Sequence, residues 1–423
     1  MSPFVEGVKD LLPEEIIARK EVYQKLRDIF KKDGYREVVT PALESLDLYS
    51  GIESIFPKEE MFKVVDDTGQ ILVLRPDLTM PIARMAVSRF LEVPGPWKFS
   101  YINTAYQTIG KNSALMKEST QAGVELMGRE DLMADVEVIS TLINSLRAVG
   151  ITEPLIDLGY AGLAKEIFSS LDLDVEIKQE LRRLIREKNV GEISLRVQEL
   201  DLTEEERRLL TRLPIMFGRP EKVLTELKSL PLTEKALEEV AQLEEIYQNL
   251  KIIGLGDYII LDPAMVTKLS YYTGIIFKAY IEGYGKVIAS GGRYDQLAKQ
   301  FGKDIPAVGF AIKVENLMDS LYQFGLADLC QVERLVLKVG EDNFEKIYRL
   351  GQLLKEKGII VDLYPGQNID KYTDFHQISY IGEYQGNDLV LSDRNEEKRR
   401  FSGELEIIAD KLINFTMGGD LDE

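Results

Sequence analysis

After Pro13, apolar residues return at helical spacing: Val22, Leu26, Ile29 and Phe30. Glu14 and Glu15 stand where negative charge suits the start of a helix, and Gly34 is placed to end it. Tyr35 to Thr40 then predicts a short strand closed by Pro41. Met61 to Val65 and Ile71 to Leu74 flank Asp66-Asp67-Thr68-Gly69 and predict a hairpin. Pro81 to Val87 predicts a helix, with proline tolerated in its first turn. Trp97 to Ile102 and Thr104 to Gln107 predict a strand running into a polar loop. Glu118 to Gly128 predicts a strand and Asp131 to Val149 a helix stopped by Gly150. From about Ala161 to Tyr247 the pattern turns to Leu and Glu with helical periodicity, as at Leu181, Leu184 and Ile185, and predicts a helical insertion.

Strand character resumes between Leu261 and Leu317. Ile275 to Phe277 and Lys286 to Ala289 flank Gly283-Tyr284-Gly285 and predict an antiparallel hairpin. Gly291 and Gly292 admit close approach of a ligand or of another backbone. The Tyr271-Tyr272 pair and the Arg293-Tyr294-Asp295 cluster can wall a small polar pocket, although for this segment alone a plain glycine-turn hairpin is the better-supported reading. Beyond Cys330 the strands Leu335 to Gly340, Ile359 to Leu363, Ile378 to Gly382 and Asp388 to Leu391 alternate with helices over Asn343 to Lys357 and Gly403 to Ile413. This is the pattern of a small α/β domain.

Composition narrows the chemistry. A chain of 423 residues, 45% hydrophobic, is long enough for two or three domains. A net charge of -19 argues against a general nucleic-acid or membrane-surface binder. The basic cluster Arg394, Lys398, Arg399 and Arg400 alternates with Asp393, Glu396 and Glu397 and reads as a solvated turn. The single cysteine, Cys330, permits no internal disulfide, and His376 is the only histidine, which disfavours histidine-ligated metal sites and Ser-His-Asp or Cys-His hydrolases. The opening residues show no secretory signal, and no run approaches the roughly 18 apolar residues of a spanning helix. A cytoplasmic protein is expected, with no metal and no cofactor.

Several blocks recur together in a known order. They are Gly7, Asp10 and Pro13; Thr40-Pro41-Ala42-Leu43-Glu44; Leu74-Arg75-Pro76; Gln121-Ala122-Gly123-Val124-Glu125; Tyr271-Tyr272-Thr273-Gly274; and Gly291-Gly292-Arg293-Tyr294-Asp295. On these residues the chain resembles histidyl-tRNA synthetase along nearly its whole length. The resemblance implies an α+β fold: a class II aminoacyl-tRNA synthetase-like antiparallel sheet with flanking helices over residues 1–325, a helical insertion over about 161–250, and an anticodon-binding-like α/β domain over 331–423.

The departures from that family fall on its phosphate-gripping arginines. The positions that resemblance gives to arginine hold Gln107, Thr267 and Asn316, and the aspartate preceding the tyrosine pair is Ser270. An arginine offers a planar, permanently charged donor fork. Loss of one transition-state donor commonly costs on the order of 10²-fold or more in rate. Lys268 and Lys117 lie near two of the gaps but cannot reproduce the fork. The amino-acid side of the implied pocket is kept better, with Asp77, Thr79, Gln121, Glu125, Tyr271 and Tyr272 as the implied histidine-binding residues and no catalytic residue.

That combination resembles the family of ATP phosphoribosyltransferase regulatory subunits. The resemblance implies a non-catalytic partner of a short catalytic subunit, required for the first step of histidine biosynthesis. It also implies histidine as feedback effector, a homodimer within a hetero-oligomer, and no tRNA partner. A divergent histidyl-tRNA synthetase and a free-standing histidine sensor are the alternatives.

Overall fold

The computed structural model describes residues 6–49, 57–108, 117–265, 272–326, 334–365, 369, 372–373, 378–393 and 397–416. Thr267, Lys268, Ser270, Tyr271, Cys330, His376, Arg394 and Glu396 lie outside the described residues. The chain divides into two compact units, Met1–Ala327 and Asp328–Glu423.

Helix α1 (Pro13–Lys32) opens the first unit. Pro13 takes the first helical position, where it has no backbone bond to lose, and Glu15 accepts from the Leu12 amide at 3.0 Å. Ala18, Val22, Leu26 and Phe30 form the buried stripe, and Gly34, at φ 85°, lets the chain leave the helix. There follow β1 (Arg36–Glu37), β2 (Leu43–Ser45), β3 (Lys63–Val65), β4 (Ile71–Leu74), α2 (Thr79–Arg89), β5 (Trp97–Tyr106), β6 (Glu118–Met127), α3 (Leu132–Ala148) and β7 (Pro154–Tyr160). The helical region comprises α4 (Ala161–Ser170), α5 (Val175–Arg186), α6 (Val190–Glu199), α7 (Glu204–Arg212), α8 (Pro220–Lys228) and α9 (Glu234–Ile252). The unit ends with β8 (Ile259–Leu261), β9 (Ile275–Ile281), β10 (Ala289–Arg293), β11 (Ala307–Lys313) and α10 (Val314–Gln323).

Eight strands form one sheet in the order β1-β5-β6-β11-β10-β9-β7-β8, and β2, β4 and β3 form a smaller one. The inner pairings of the large sheet are antiparallel; only the outermost, β1 with β5 and β7 with β8, are parallel. Alternation along each strand sorts the two faces. On β6, Ala122, Val124 and Leu126 enter a core shared with Leu26 and Phe30 of α1 and Ile139 and Leu142 of α3. The intervening Gln121, Gly123 and Glu125 point to the other face. There α2 packs Met80, Ile82, Ala83 and Ala86 against Phe99 and Tyr101 of β5.

The insertion is helical as expected, but it is not an appendage: Leu163, Ile167, Leu243 and Ile246 belong to the same core as the sheet. Two strand expectations need correction. The second hairpin strand is Ala289–Arg293, not Lys286 to Ala289, and pairs with β9 and β11 along its length. Its glycines admit close backbone approach as expected: a Cβ on Gly291 would lie 2.4 Å from the Gly309 carbonyl oxygen and 2.5 Å from the Phe277 ring. Strand β7 was not foreseen. Pro154 begins it, at a position where a missing N–H is tolerated.

The second unit contains β12 (Arg334–Lys338), α11 (Phe344–Glu356), β13 (Ile360–Tyr364), β14 (Tyr380–Gln385), β15 (Asp388–Asp393), β16 (Lys398–Phe401) and α12 (Leu405–Thr416). Its sheet order is β13-β12-β14-β15-β16. Lys398, Arg399 and Arg400 lie on edge strand β16 rather than in a solvated turn. Buried Phe401 anchors that strand, and Arg399 stacks on Phe415 with its guanidinium carbon 4.4 Å from the ring centroid.

Candidate functional site

The segment Leu74-Arg75-Pro76-Asp77-Leu78-Thr79 carries the chain from β4 into α2. Arg75 is 3% exposed, and its guanidinium donates to the Thr104 carbonyl at 2.8 Å, the Pro41 carbonyl at 3.1 Å and Asn103 Oδ1 at 2.7 Å. It also donates to the Thr40 carbonyl. This arginine ties three backbone segments together and fixes where α2 begins. Asp77 Oδ2 accepts from the Met80 amide at 3.0 Å, satisfying one of the free N–H groups of the first turn. Thr79 Oγ1 then reaches across to β6 and donates to Glu125 Oε1 at 2.8 Å.

Glu125 is 1% exposed, in the middle of the sheet. Its second oxygen accepts from the Tyr294 hydroxyl. Gly309 lies directly opposite on β11, and a Cβ there would fall 1.9 Å from Glu125 Oε2, so this glycine is required for the carboxylate to lie flat on the sheet. Gly292 continues the same row; a Cβ on it would meet the Tyr272 ring at 2.7 Å. Burial pushes Glu125 up to about 8, against the opposing hydrogen bonds from Tyr294 and Thr79. Burial likewise pushes Asp77 up to about 7, opposed by the backbone donors at the helix start.

A buried ion network holds Tyr294 in place. Arg293 Nη2 pairs with Asp135 at 2.8 Å, while Arg293 Nη1 donates to the Arg129 carbonyl at 2.9 Å and to Asp295 at 3.3 Å. Asp295 in turn accepts from Thr273 Oγ1 at 2.9 Å and from the Ala307 amide at 3.1 Å. The flanking residues of Arg293-Tyr294-Asp295 are thus structural, and the central tyrosine enters the site.

These groups line a cavity of about 300 Å³ whose walls include Asp77, Thr79, Gln121, Glu125, Tyr272 and Tyr294. The structure therefore brings together five of the six implied histidine-binding residues; Tyr271 lies outside the described residues. Tyr294 was expected only as part of the wall, and its bond to Glu125 depends on strand register that the sequence does not display. Two of the positions expected to hold arginine in a synthetase also face this cavity. Gln107 Nε2 donates to the Pro76 carbonyl at 2.9 Å and Asn316 Nδ2 to the Val287 carbonyl at 2.8 Å. Both are neutral amides turned onto backbone. Beside Asn316, Glu315 accepts from the Thr120 amide at 3.0 and 3.1 Å and from Arg19 at 3.1 Å, tying α10 to β6 and α1. Among the described residues, no group of three or more His, Cys, Asp and Glu side chains converges to hold a metal ion, and no helix is long and apolar enough to cross a membrane.

Residues 7–317 match the histidyl-tRNA synthetase family model. The chain is 36% identical to the ATP phosphoribosyltransferase regulatory subunit of Caldanaerobacter subterraneus subsp. tengcongensis, over 89% of this chain and 99% of that one. It is 33% identical to the Clostridium botulinum protein of the same name, over 93% and 92% of the two chains. A crystal structure from Bacillus halodurans, described as an ATP phosphoribosyltransferase regulatory subunit/histidyl-tRNA synthetase, superposes with a TM-score of 0.79 at 28% identity, covering 91% of this chain and 99% of that one. Histidyl-tRNA synthetase from Nostoc sp. PCC 7120 shares the fold, with a TM-score of 0.79 at 19% identity, over 97% and 99% of the two chains. With relatives of this identity along nearly its full length, the chain belongs to the family of ATP phosphoribosyltransferase regulatory subunits, built on the histidyl-tRNA synthetase fold.

Proposed function

We propose that this regulatory subunit binds free histidine in the Glu125 cleft, performs no chemistry on it, and passes its occupancy to a separate short catalytic subunit that carries out the glycosyl transfer opening histidine biosynthesis. The observation that carries the reading is the contrast between the two halves of the cleft. At one end two hydrogen-bonded acids, buried Glu125 held by Thr79 and Tyr294 and half-buried Asp77 at the helix start, suit an ammonium or an imidazole N–H. At the other end Gln107 and Asn316 offer neutral amides bonded to backbone in place of charged donors for phosphate oxygens. Such a site recognises an amino acid without activating it. Histidine then shifts the assembly between states by its difference in affinity for them. The assembly we expect is a homodimer of this chain within a hetero-oligomer.

Reconstitution with the catalytic subunit tests the proposal. The mixture should transfer phosphoribosyl groups faster than the catalytic subunit alone and should be inhibited by histidine, while the purified chain alone should show no histidine-dependent ATP–pyrophosphate exchange. Exchange at an enzymatic rate would instead establish a divergent histidyl-tRNA synthetase. A mixture no more active than the catalytic subunit alone would leave a free-standing histidine sensor.

A further inference from the structure

In a chain with 71 acidic and 52 basic side chains, a cavity lysine without an ion-pair partner calls for a reason. Lys313 is such a residue. It ends β11 on the same face as Gly309, four residues further on, about 13 Å at 3.3 Å per residue. It lines the Glu125 cavity and also a second cavity of about 680 Å³ walled in part by Glu118, Glu315 and Asp319. Among the described residues its ammonium makes no ion pair. The nearest acid along the chain, Glu315, lines the same cavity but is taken by Arg19 and the Thr120 amide.

Across the sheet the neighbours of Lys313 are neutral or positive. Its cross-strand partner on β6 is Gln121, and Ser290 faces Ala311 one step back; both line the cavity. Lys278 of β9 lies beyond Ser290 in the same row. Lys278 is placed opposite Asp157, yet the two form no ion pair within 4 Å among the described residues. Partial loss of solvent and the nearby Lys278 charge lower the Lys313 pKa, the response of an ammonium that lacks a counter-charge.

We propose that Lys313, with the Gln121 amide and the Ser290 hydroxyl beside it, forms an anion subsite at the open end of the cleft and takes the carboxylate of the amino acid whose cationic end lies against Glu125 and Asp77. This rests on the cleft being an amino-acid site. It assigns the carboxylate to a lysine at the end of β11, and to none of the positions where the synthetase resemblance expects arginine. It also makes the ligand a free zwitterion: an esterified or amidated carboxyl group would forfeit the ion pair.

The test is a calorimetric comparison of histidine with histamine, which lacks the carboxylate, on the full chain as wild type, Lys313→Gln and Lys313→Arg. Wild type should prefer histidine by about 10-fold or more, the size of a charge-assisted hydrogen bond. Lys313→Gln should lose that preference through weaker histidine binding while keeping its affinity for histamine, and Lys313→Arg should retain the preference. An unchanged preference in Lys313→Gln overturns the subsite and leaves the cleft reading intact. No binding of either ligand to wild type overturns the cleft reading and the subsite with it. Competition between inorganic phosphate and histamine in wild type, lost in Lys313→Gln, would assign the anion to a phosphate and overturn the carboxylate assignment.

Discussion

The Thr79 hydroxyl, on the first turn of α2, donates to Oε1 of Glu125, at the centre of β6, across 2.8 Å. That bond joins the helix covering the sheet to the sheet itself at the floor of the cavity. A Thr79→Val variant keeps the shape and removes the donor. It should lose about 1–3 kcal/mol of stability, the cost of leaving a buried polar group short of a partner. The loss should be greatest at alkaline pH, where Glu125 is ionised. Urea unfolding at pH 6 and pH 9 measures it; equal losses at both would separate Thr79 from the charge on Glu125.

The acid pair makes ligand-free stability depend on pH with a defined sign. Glu125 and Asp77 titrate at about 8 and about 7 in the folded chain, above their ordinary values of 4.5 and 3.8. Both folded-state pKa values are raised, so their contribution is fully present below about pH 4 and is lost as pH rises through 7 and 8. The melting temperature of wild type, relative to an Asp77→Asn/Glu125→Gln variant, should therefore fall between pH 5 and pH 9. A difference that stays level or rises over that range contradicts the assignment.

Gly309 serves the site by what it lacks. Alanine there would place a Cβ 1.9 Å from Glu125 Oε2 and 2.4 Å from the Val124 carbonyl, and the latter is backbone that cannot swing aside. Gly309→Ala should cost about 1–3 kcal/mol through overpacking and should also displace Glu125, abolishing histidine binding. Chemical denaturation with a parallel titration checks both effects; normal binding in a folded variant would show that the carboxylate does not depend on this close approach.

Much of this was legible along the chain. The helical stripe of α1, the hairpin of β3 and β4, and the alternation through Gln121-Ala122-Gly123-Val124-Glu125 are local patterns, and the structure follows them. What was not legible depends on register between distant strands. The bond from Tyr294 to Glu125 spans 169 positions, and nothing near either residue announces it. The glycines of β10 announced a close approach but not what approaches Gly291, because its neighbours, Phe277 and Gly309, come from other strands. Lys398 to Arg400 read as a solvated turn because the single apolar residue that seats them, Phe401, falls at the end of the run.

The buried pair of Arg293 and Asp135 positions Tyr294 from behind. Arg293→Met leaves the Asp135 carboxylate buried without its partner and should destabilise the chain by about 3–5 kcal/mol. Arg293→Lys should recover only part of this, because an ammonium cannot bridge Asp135, the Arg129 carbonyl and Asp295 together. Thermal melts of the two variants and of Arg293→Met/Asp135→Leu provide the comparison. The double variant should be more stable than Arg293→Met alone, and a double variant equally unstable would remove the charge pairing as the cause.

Calorimetric titration of histidine into the full-length chain, as wild type and as Glu125→Ala, bears most directly on the whole account. Wild type should bind one histidine per chain, and Glu125→Ala should bind it at least about 10-fold more weakly, having lost the carboxyl group at the cavity floor. Equal affinity in the two proteins, or no binding to wild type, would contradict the claim that this cleft senses histidine.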